Sequence, residues 1–191
     1  MPCAINVGSD PTTLCGLGAG GKQTNINGLE YEAVNDLSSE YTIQGRKWTP
    51  TNQIKFNDYP NNIYLTGKKS LFHKEMQASH PSYKEMDLLH GTKEPDRWFI
   101  SRVKKIAYIV EIKFQKTNGS VCEKLQTPSV KLRRLMKMYP DFKIYYIYGL
   151  SPWFRDQCKA EIEELREDDI PYFWGDSLTF KKEIVDFINN H

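Results

Sequence analysis

The chain has 191 residues, of which 39% are hydrophobic and 13% aromatic, and its formal net charge is +2. A chain of this size can bury one substantial core, so we expect a single domain over residues 1–191. The sequence has no apolar run long enough to span a bilayer, and its first residues, "MPCAINVGSD", lack the charged and apolar regions of a signal peptide. These features exclude membrane-spanning and secreted classes and predict a cytoplasmic protein with no membrane partner.

Local charge and the cysteines add two expectations. Residues 101–143 contain eleven Lys and Arg against three Asp and Glu, which indicates either a solvated basic helix face or a footprint for a polyanion. The four cysteines are scattered without Cys-x2-Cys spacing, and the histidines supply no His-x3-His pair. We therefore expect neither structural zinc nor disulfides.

The stretch "CGLGAGGKQTNINGLEYE", residues 15–32, has the glycine spacing of a phosphate-binding loop up to its lysine. Gln23 stands where Ser or Thr should hold magnesium, and no buried strand leads into the glycines, so a nucleotide site is disfavoured. Asn27 can instead cap a helix, with Glu30 in the capping-box position. Glu32 lies beyond the cap and has no structural task of this kind.

Residues 42–91 are rich in Asn, Lys, Gly, Pro and Tyr and show only weak periodicity. This composition predicts loops and short elements. Long inserts of this kind often carry binding residues, so we expect the insert, residues 42–91, to serve recognition.

The densest pattern lies between Glu94 and Thr127. The run "IAYIVEIKF" has the apolar, β-branched character of a buried strand, yet it contains Glu111 and Lys113. "RWFI" is a second strand, and "SRVKK" is the turn between the two. If this turn centres between its third and fourth residues, Asp96 faces Glu111 with Cβ atoms about 4.5 to 5.5 Å apart.

Strand alternation sends Glu111, Lys113 and Gln115 to one face and turns the residues between them toward a core. The opposed carboxylates would repel each other unless a divalent cation neutralises them. Oxygen donors beside a lysine, without His or Cys, indicate magnesium engaged with phosphate. Asp87 is the alternative to Asp96 as the first metal ligand, and a structural ion pair between Glu111 and Lys113 is the alternative to catalysis.

The remainder of the chain predicts alternating helices and strands, which with the first helix and the hairpin give an α/β fold with a central mixed sheet flanked by helices. They are a helix from Ser120 to about Tyr139 that Pro128 breaks or kinks, a strand at Lys143 to Gly149, a helix at Pro152 to Glu167, a strand "YFW" and a terminal helix from Ser177.

"PD" at Pro95 and Asp96, followed by "EIK" at Glu111 to Lys113, resembles the signature of the PD-(D/E)XK nuclease superfamily. The longer block "EIKFQKTNGSVCEKLQT" resembles one found in a group of type II restriction endonucleases of that superfamily, and "GGKQTNINGLEYE" is similar to their N-terminal helix. The resemblance covers residues 20–32 and 95–127. It implies a restriction-endonuclease-like core and a magnesium-dependent, sequence-specific endonuclease that cuts duplex DNA.

The resemblance also implies roles for individual residues. Asp96, Glu111 and the carbonyl of Ile112 would bind magnesium, and Glu32 would reach the metal from the first helix, directly or through water. Lys113 would orient or deprotonate the attacking water and stabilise developing charge.

Further residues would contact phosphate. Gln115 would position phosphate or water, and Lys124, on the helix opened by Ser120, would meet a phosphate beside that helix N-terminus. Cations of the same predicted helix would contribute mainly through the phosphate backbone; they are Lys131, Arg133, Arg134 and Lys137.

Cutting both strands of a duplex symmetrically requires two active sites, so we expect a homodimer on DNA. Two other functions stay open for this core. One is a structure-selective nuclease such as a junction resolvase, and the other is a DNA-binding module that does not cleave.

Overall fold

The computed structural model of the chain describes residues 22–45, 50–83, 88, 92–116 and 122–191. Within these ranges seven strands form one sheet. In chain order they are β1 (Tyr41–Gln44), β2 (Thr51–Phe56), β3 (Tyr59–Gly67), β4 (Arg97–Ser101), β5 (Ile106–Lys113), β6 (Lys143–Leu150) and β7 (Tyr172–Trp174).

The described ranges also contain six α-helices, none of which is long and apolar enough to cross a membrane. They are α1 (Lys22–Val34), α2 (Phe72–Gln77), α3 (Pro128–Met138), α4 (Trp153–Gln157), α5 (Lys159–Glu167) and α6 (Phe180–Asn190).

The order of the strands in the sheet is their order in the chain. Neighbours from β1 to β5 pair antiparallel, whereas β6 pairs parallel to β5 and β7 pairs parallel to β6. Each parallel pair is joined through helices, α3 in the first case and α4 with α5 in the second. The expected α/β fold with a mixed sheet flanked by helices is confirmed.

The sequence predicts loops and short elements for the insert, and the short elements include strands of the central sheet, which the sequence does not predict. β1, β2 and β3 enlarge the sheet, and Ile54, Phe56 and Tyr64 from these strands are fully buried. The periodicity is weak because β2 and β3 each bury only two residues at alternate positions, Ile54 with Phe56 and Tyr64 with Thr66, which is too short an alternation to stand out.

The start of α1 differs from the prediction. The helix begins at Lys22, so Asn27 lies inside it and does not cap it, and Glu30 has no capping box to complete. None of the residues from Lys22 to Asn27 is Gly or Pro, so nothing in this stretch opposes helix.

Two predicted helices are each divided in two. Within the described residues, the helix predicted to end near Tyr139 consists of a 3₁₀ helix, Cys122–Gln126, followed by α3. Pro128 stands in the first turn of α3, where its missing N–H breaks no hydrogen bond. The helix predicted from Pro152 is interrupted at Cys158, whose backbone is not helical (φ −123°, ψ 50°).

β5 is buried on both faces at its centre. Ile109 packs into a cluster that includes Trp98 and Leu135, whereas Val110 packs into a second cluster that includes Phe180. Polar side chains on the first of these faces begin only at Glu111, near the end of the strand. The sheet therefore confines the charged residues of β5 to its carboxyl end.

A disulfide joins Cys122 to Cys158, so the prediction of no disulfides is wrong. The two residues are 36 positions apart in the sequence, which gives no local spacing to detect. The crossover through α3 and β6 brings their Cα atoms to 5.6 Å, within the usual range for a bridge. The bond ties the 3₁₀ helix Cys122–Gln126 to the junction of α4 and α5.

Candidate active site

The β4–β5 hairpin has the register that its turn predicts. Arg97 pairs with Val110, and Trp98 pairs with Ile109. The same register continued by one residue sets Asp96 opposite Glu111. The hairpin therefore brings the two carboxylates toward each other where β4 begins and β5 ends.

Lys113 connects these carboxylates. Its Nζ lies 3.2 Å from Asp96 Oδ2 and 2.8 Å from Glu111 Oε2. Burial alone would lower the pKa of Lys113, but the charges of Glu111 and Asp96 and their hydrogen bonds outweigh burial and raise the pKa. Lys113 is thus an ammonium group held between two carboxylates.

Glu111 is nearly buried, with 8% of its side chain exposed. Its Oε1 accepts a hydrogen bond from the Tyr146 hydroxyl, and Lys131 Nζ lies 3.2 Å from the same oxygen. Burial would raise the pKa of Glu111, but Lys113, Lys131 and the hydrogen bond from Tyr146 together hold the pKa below its usual value. Glu111 is therefore an ionised carboxylate with a partner on each oxygen.

Lys131 and Tyr146 are additions to the site that sequence reasoning missed. From the sequence, Lys131 is expected to contact the phosphate backbone with the other cations of its helix. In the structure its side chain lies against the sheet, where its Nζ also lies 2.8 Å from the Tyr146 hydroxyl. Arg133, Arg134 and Lys137 are exposed on α3. No motif spacing links α3 or β6 to the hairpin, so only tertiary packing shows these contacts.

Asp96 has a lysine on each oxygen. Lys69 Nζ lies 2.9 Å from Oδ1, and Lys113 occupies Oδ2. Burial would raise the pKa of Asp96, but the two lysines outweigh it and lower the pKa. Lys69 belongs to the 3₁₀ helix Lys69–Leu71, which follows β3, so the insert contributes directly to the site. Nothing in the sequence distinguishes Lys69 from the other lysines of the insert.

α1 packs over the carboxyl ends of β5 and β6. The Tyr31 hydroxyl donates a hydrogen bond of 3.1 Å to the Leu150 carbonyl, and the Tyr31 ring lies 5.0 Å from that of Phe114. Glu32 follows Tyr31 directly, so these contacts fix its place at the edge of the charged cluster.

The charges of that cluster shift the pKa of Glu32. Burial and the charge of Asp96 raise the pKa of Glu32, and the charges of Lys113 and Lys69 only partly oppose them. Glu32 therefore lies within electrostatic range of the hairpin residues. Its part in metal binding stays a prediction.

Two other predicted site residues, Ile112 and Gln115, lie in β5 and just after it. Gln115 is buried just beyond the strand, where its N–H donates to Ser151 Oγ at 3.0 Å and its carbonyl accepts from the same hydroxyl at 3.1 Å. The side chain of Ile112 packs into the cluster on the face opposite Glu111. The Ile112 carbonyl as a metal ligand, and Gln115 as a phosphate or water contact, stay predictions.

Asp87 and Ser120 lie outside the described residues. Of Lys124, the structure describes the backbone within the 3₁₀ helix Cys122–Gln126. The expected roles of these three residues in metal and phosphate binding stay predictions.

The donor set suits a hard divalent cation. Asp96 and Glu111 offer only oxygen atoms, and these oxygens already surround one positive charge, the Lys113 ammonium. Carboxylate oxygens without sulfur or imidazole favour magnesium over zinc or copper. The residues therefore fit magnesium, which would compete with the lysines for the same oxygens.

A small cavity opens beside Glu111, between the hairpin, α3 and β6. Its volume is about 30 Å³, and Lys93, Lys131 and Arg134 contribute cations to its wall. This is room for a water molecule in contact with the carboxylate. The cavity can therefore hold a water molecule beside Glu111 on the α3 side, while Lys113 contacts Oε2.

Comparisons of the chain with protein-family models, with curated proteins and with solved structures gave no match. The functional interpretation therefore depends on the contacts among Asp96, Glu111 and Lys113.

Proposed function

We propose that the protein is a magnesium-dependent, sequence-specific endonuclease of the type II restriction class, which hydrolyses duplex DNA to 5′-phosphate and 3′-hydroxyl ends. One observation carries the proposal: the Lys113 ammonium lies in hydrogen-bond contact with both Asp96 and Glu111. A lysine converging with two carboxylates on a rigid hairpin is the arrangement that metal-assisted phosphoryl hydrolysis needs.

Asp96, Glu111 and the Ile112 carbonyl would hold the magnesium ion, with Glu32 beside them. The ion supplies a Lewis acid for the phosphate and lowers the pKa of water. Lys113 orients the attacking water and stabilises negative charge on the phosphate oxygens.

The surrounding residues bind the rest of the substrate. Gln115 positions phosphate or water, and Ser120 and Lys124 bind a neighbouring phosphate. The exposed cations of α3, such as Arg133 and Lys137, give that helix a positive face that favours a polyanion. Duplex DNA is the partner that this charge distribution supports.

Two other functions have less support. A DNA-binding module without activity has no use for a buried Glu111 that is held ionised by two lysines. A structure-selective nuclease would use the same chemistry, but the resemblance of residues 111–127 to a block of type II restriction endonucleases favours an enzyme that reads a sequence. Cutting at one mapped sequence, as opposed to cutting at branched junctions, separates these two nucleases.

We also propose that the enzyme acts in the cytoplasm as a homodimer. Cytoplasmic thiols are normally kept reduced. The bridge between Cys122 and Cys158 is therefore unusual for a cytoplasmic protein, and the proposed location depends on the sequence alone.

Digestion of a plasmid of known sequence tests the function. We expect discrete fragments with magnesium, none with EDTA, and one recognition sequence on sequencing of the ends. Asp96→Asn and Glu111→Gln should abolish cleavage, because each removes a carboxylate charge that the metal requires. Binding to the same DNA in calcium should be largely retained.

Glu167→Gln is the matched control, since Glu167 is exposed on α5 and away from the site. It should cut like the wild type. If Glu111→Gln instead loses its fold and its DNA binding together, the cluster is a structural ion-pair network and the proposal is wrong.

A further inference from the structure

Lys69 occupies the solvent side of the candidate site. Its Nζ lies 2.9 Å from Asp96 Oδ1, and 60% of its side chain is exposed, against 24% for Lys113 and 30% for Lys131. Among the described lysines in contact with the carboxylates of Asp96 and Glu111, Lys69 is therefore the most exposed to an incoming ligand.

The backbone that carries Lys69 is fixed to strand β4. Trp98 Nε1 donates a hydrogen bond of 3.1 Å to the Lys68 carbonyl, which also accepts from the Leu71 N–H at 3.0 Å. A Cβ on Gly67 would lie 2.9 Å from the Pro50 carbonyl oxygen, so the chain before Lys68 is closely packed as well. These contacts hold Lys69 in place relative to Asp96, which precedes Trp98 by two residues.

The contact between Lys69 and Asp96 is a poor stabiliser of the fold. Exposed ion pairs contribute little to stability because water screens them and because a long side chain must be ordered. Asp96 already has Lys113 on its other oxygen. Binding of a ligand by the exposed Lys69 ammonium explains the closely packed backbone better than the Lys69–Asp96 ion pair does.

The charge balance of the cluster indicates the kind of ligand. Among the described residues, the carboxylates of Asp96 and Glu111 are in contact with the ammonium groups of Lys69, Lys113 and Lys131, Glu32 lies within electrostatic range, and Lys93 and Arg134 add positive charge beside Glu111. A divalent cation on the carboxylates leaves the cluster with an excess of positive charge, and repulsion between the cation and the lysines is relieved when an anion arrives. The phosphate of DNA is that anion in the proposed function.

We propose that Lys69 is a catalytic residue that contacts a non-bridging oxygen of the scissile phosphate once Asp96 is engaged with the metal. This inference rests on the proposed function. Lys69 stabilises negative charge as the water oxygen bonds to phosphorus and the bond to the 3′ oxygen breaks; the attacking water releases its proton to solvent, the 3′ oxygen takes one from solvent to become the hydroxyl, and Lys69 transfers no proton. The insert then supplies part of the chemistry as well as recognition.

The test uses a duplex containing the sequence mapped by plasmid digestion. Lys69→Ala should lower the single-turnover cleavage rate at saturating enzyme by at least about tenfold, because a donor aimed at transition-state charge is lost. Lys69→Arg, which keeps the charge, should recover part of this rate. Lys68→Ala is the matched control, since Lys68 is exposed and acts through its backbone carbonyl, and it should stay within about twofold of the wild type.

The magnesium requirement separates catalysis from a structural role. If Lys69 only formed an ion pair with Asp96, its removal would make that carboxylate available to the magnesium ion. Half-maximal cleavage would then need less magnesium, and the rate at saturating magnesium would be unchanged. That result would overturn the proposal.

The wild-type chain in the same assay separates this inference from the proposed function. If the wild type does not cut DNA with magnesium, both are wrong. If the wild type cuts and Lys69→Ala cuts equally fast, only the assignment of Lys69 is wrong. Lys69→Met keeps the apolar stem and replaces Lys69→Ala in the assay if the alanine variant melts at a lower temperature than the wild type.

Discussion

Glu111 lies near the carboxyl end of β5, whose central residues are apolar, and it is nearly removed from water. Desolvating a carboxylate costs roughly several kcal/mol, and the attraction of its partners offsets this only when every oxygen is well paired. Lys113, Lys131 and Tyr146 provide that pairing. An apolar side chain at this position would extend the core without any desolvation cost, so chemistry explains the charge better than stability does.

Lys113→Ala removes the ammonium between the two carboxylates. We expect the cleavage rate of bound DNA to fall by at least about a hundredfold, because a group that orients the attacking water and stabilises developing charge is lost. Single-turnover cleavage at saturating enzyme measures this rate, and binding in calcium should change little.

Lys104→Ala is the control for Lys113→Ala, since Lys104 lies in the exposed turn at the opposite end of the same hairpin. It should cleave at the wild-type rate. A Lys113→Ala enzyme that cuts normally once saturated would mean that this lysine serves only to balance charge.

The sequence predicts the core of this cluster because its members are close in the chain. A turn centre and strand alternation are enough to bring Asp96 and Glu111 together with Lys113. Lys69 and Lys131 could not be predicted, because their positions depend on how a 3₁₀ helix and α3 pack on the sheet.

At the scale of elements, Gly149 is the position where β6 packs against its neighbours too closely for a side chain. A Cβ on Gly149 would lie 2.6 Å from Ile112 Cδ1 and 2.7 Å from a ring carbon of Phe180 on α6. Gly149→Ala should therefore lower the free energy of unfolding by about 1–3 kcal/mol, the usual cost of overpacking a filled core. Denaturant unfolding followed by circular dichroism measures the change.

Gly28→Ala is the control for Gly149→Ala, because a Cβ on Gly28 meets nothing within 4 Å. Gly28 lies inside α1, where alanine is the better helix former, so its replacement should be neutral or stabilise by up to about 1 kcal/mol. Equal stability of the two variants would contradict the packing of α6 against β5 and β6.

The elements differ in how well the sequence predicts them, for physical reasons. β5 and β6 are buried on both faces and show as continuous apolar runs. β2 and β3 bury alternate residues only over short lengths, and no residue of β1 is fully buried, so the sequence shows no clear strand pattern in this region. The break at Pro128 follows from proline geometry, whereas the break at Cys158 occurs in a stretch whose residues otherwise favour helix.

At the scale of the whole molecule, the hairpin supplies one cluster of this kind among the described residues, and a duplex has two strands to cut. We expect two chains per recognition site, related by two-fold symmetry. The mass of the protein–DNA complex in calcium should correspond to two protein chains, and interrupted digestion should yield linear plasmid without prolonged nicked circles. One chain per site together with nicked plasmid as the sole product would contradict a homodimer.

Every strand of the sheet pairs with the strand made just before it, so ribosomal synthesis delivers each strand next to a partner that already exists. The β4–β5 hairpin closes a short loop, whereas the parallel pairs form only after their helical crossovers are made. Asp96, Glu111 and Lys113 can thus come together in a solvated hairpin before α3 and β6 are made. α3 and β6, which follow the hairpin in the chain, carry Lys131 and Tyr146, so the elements that enclose Glu111 also bring its partners.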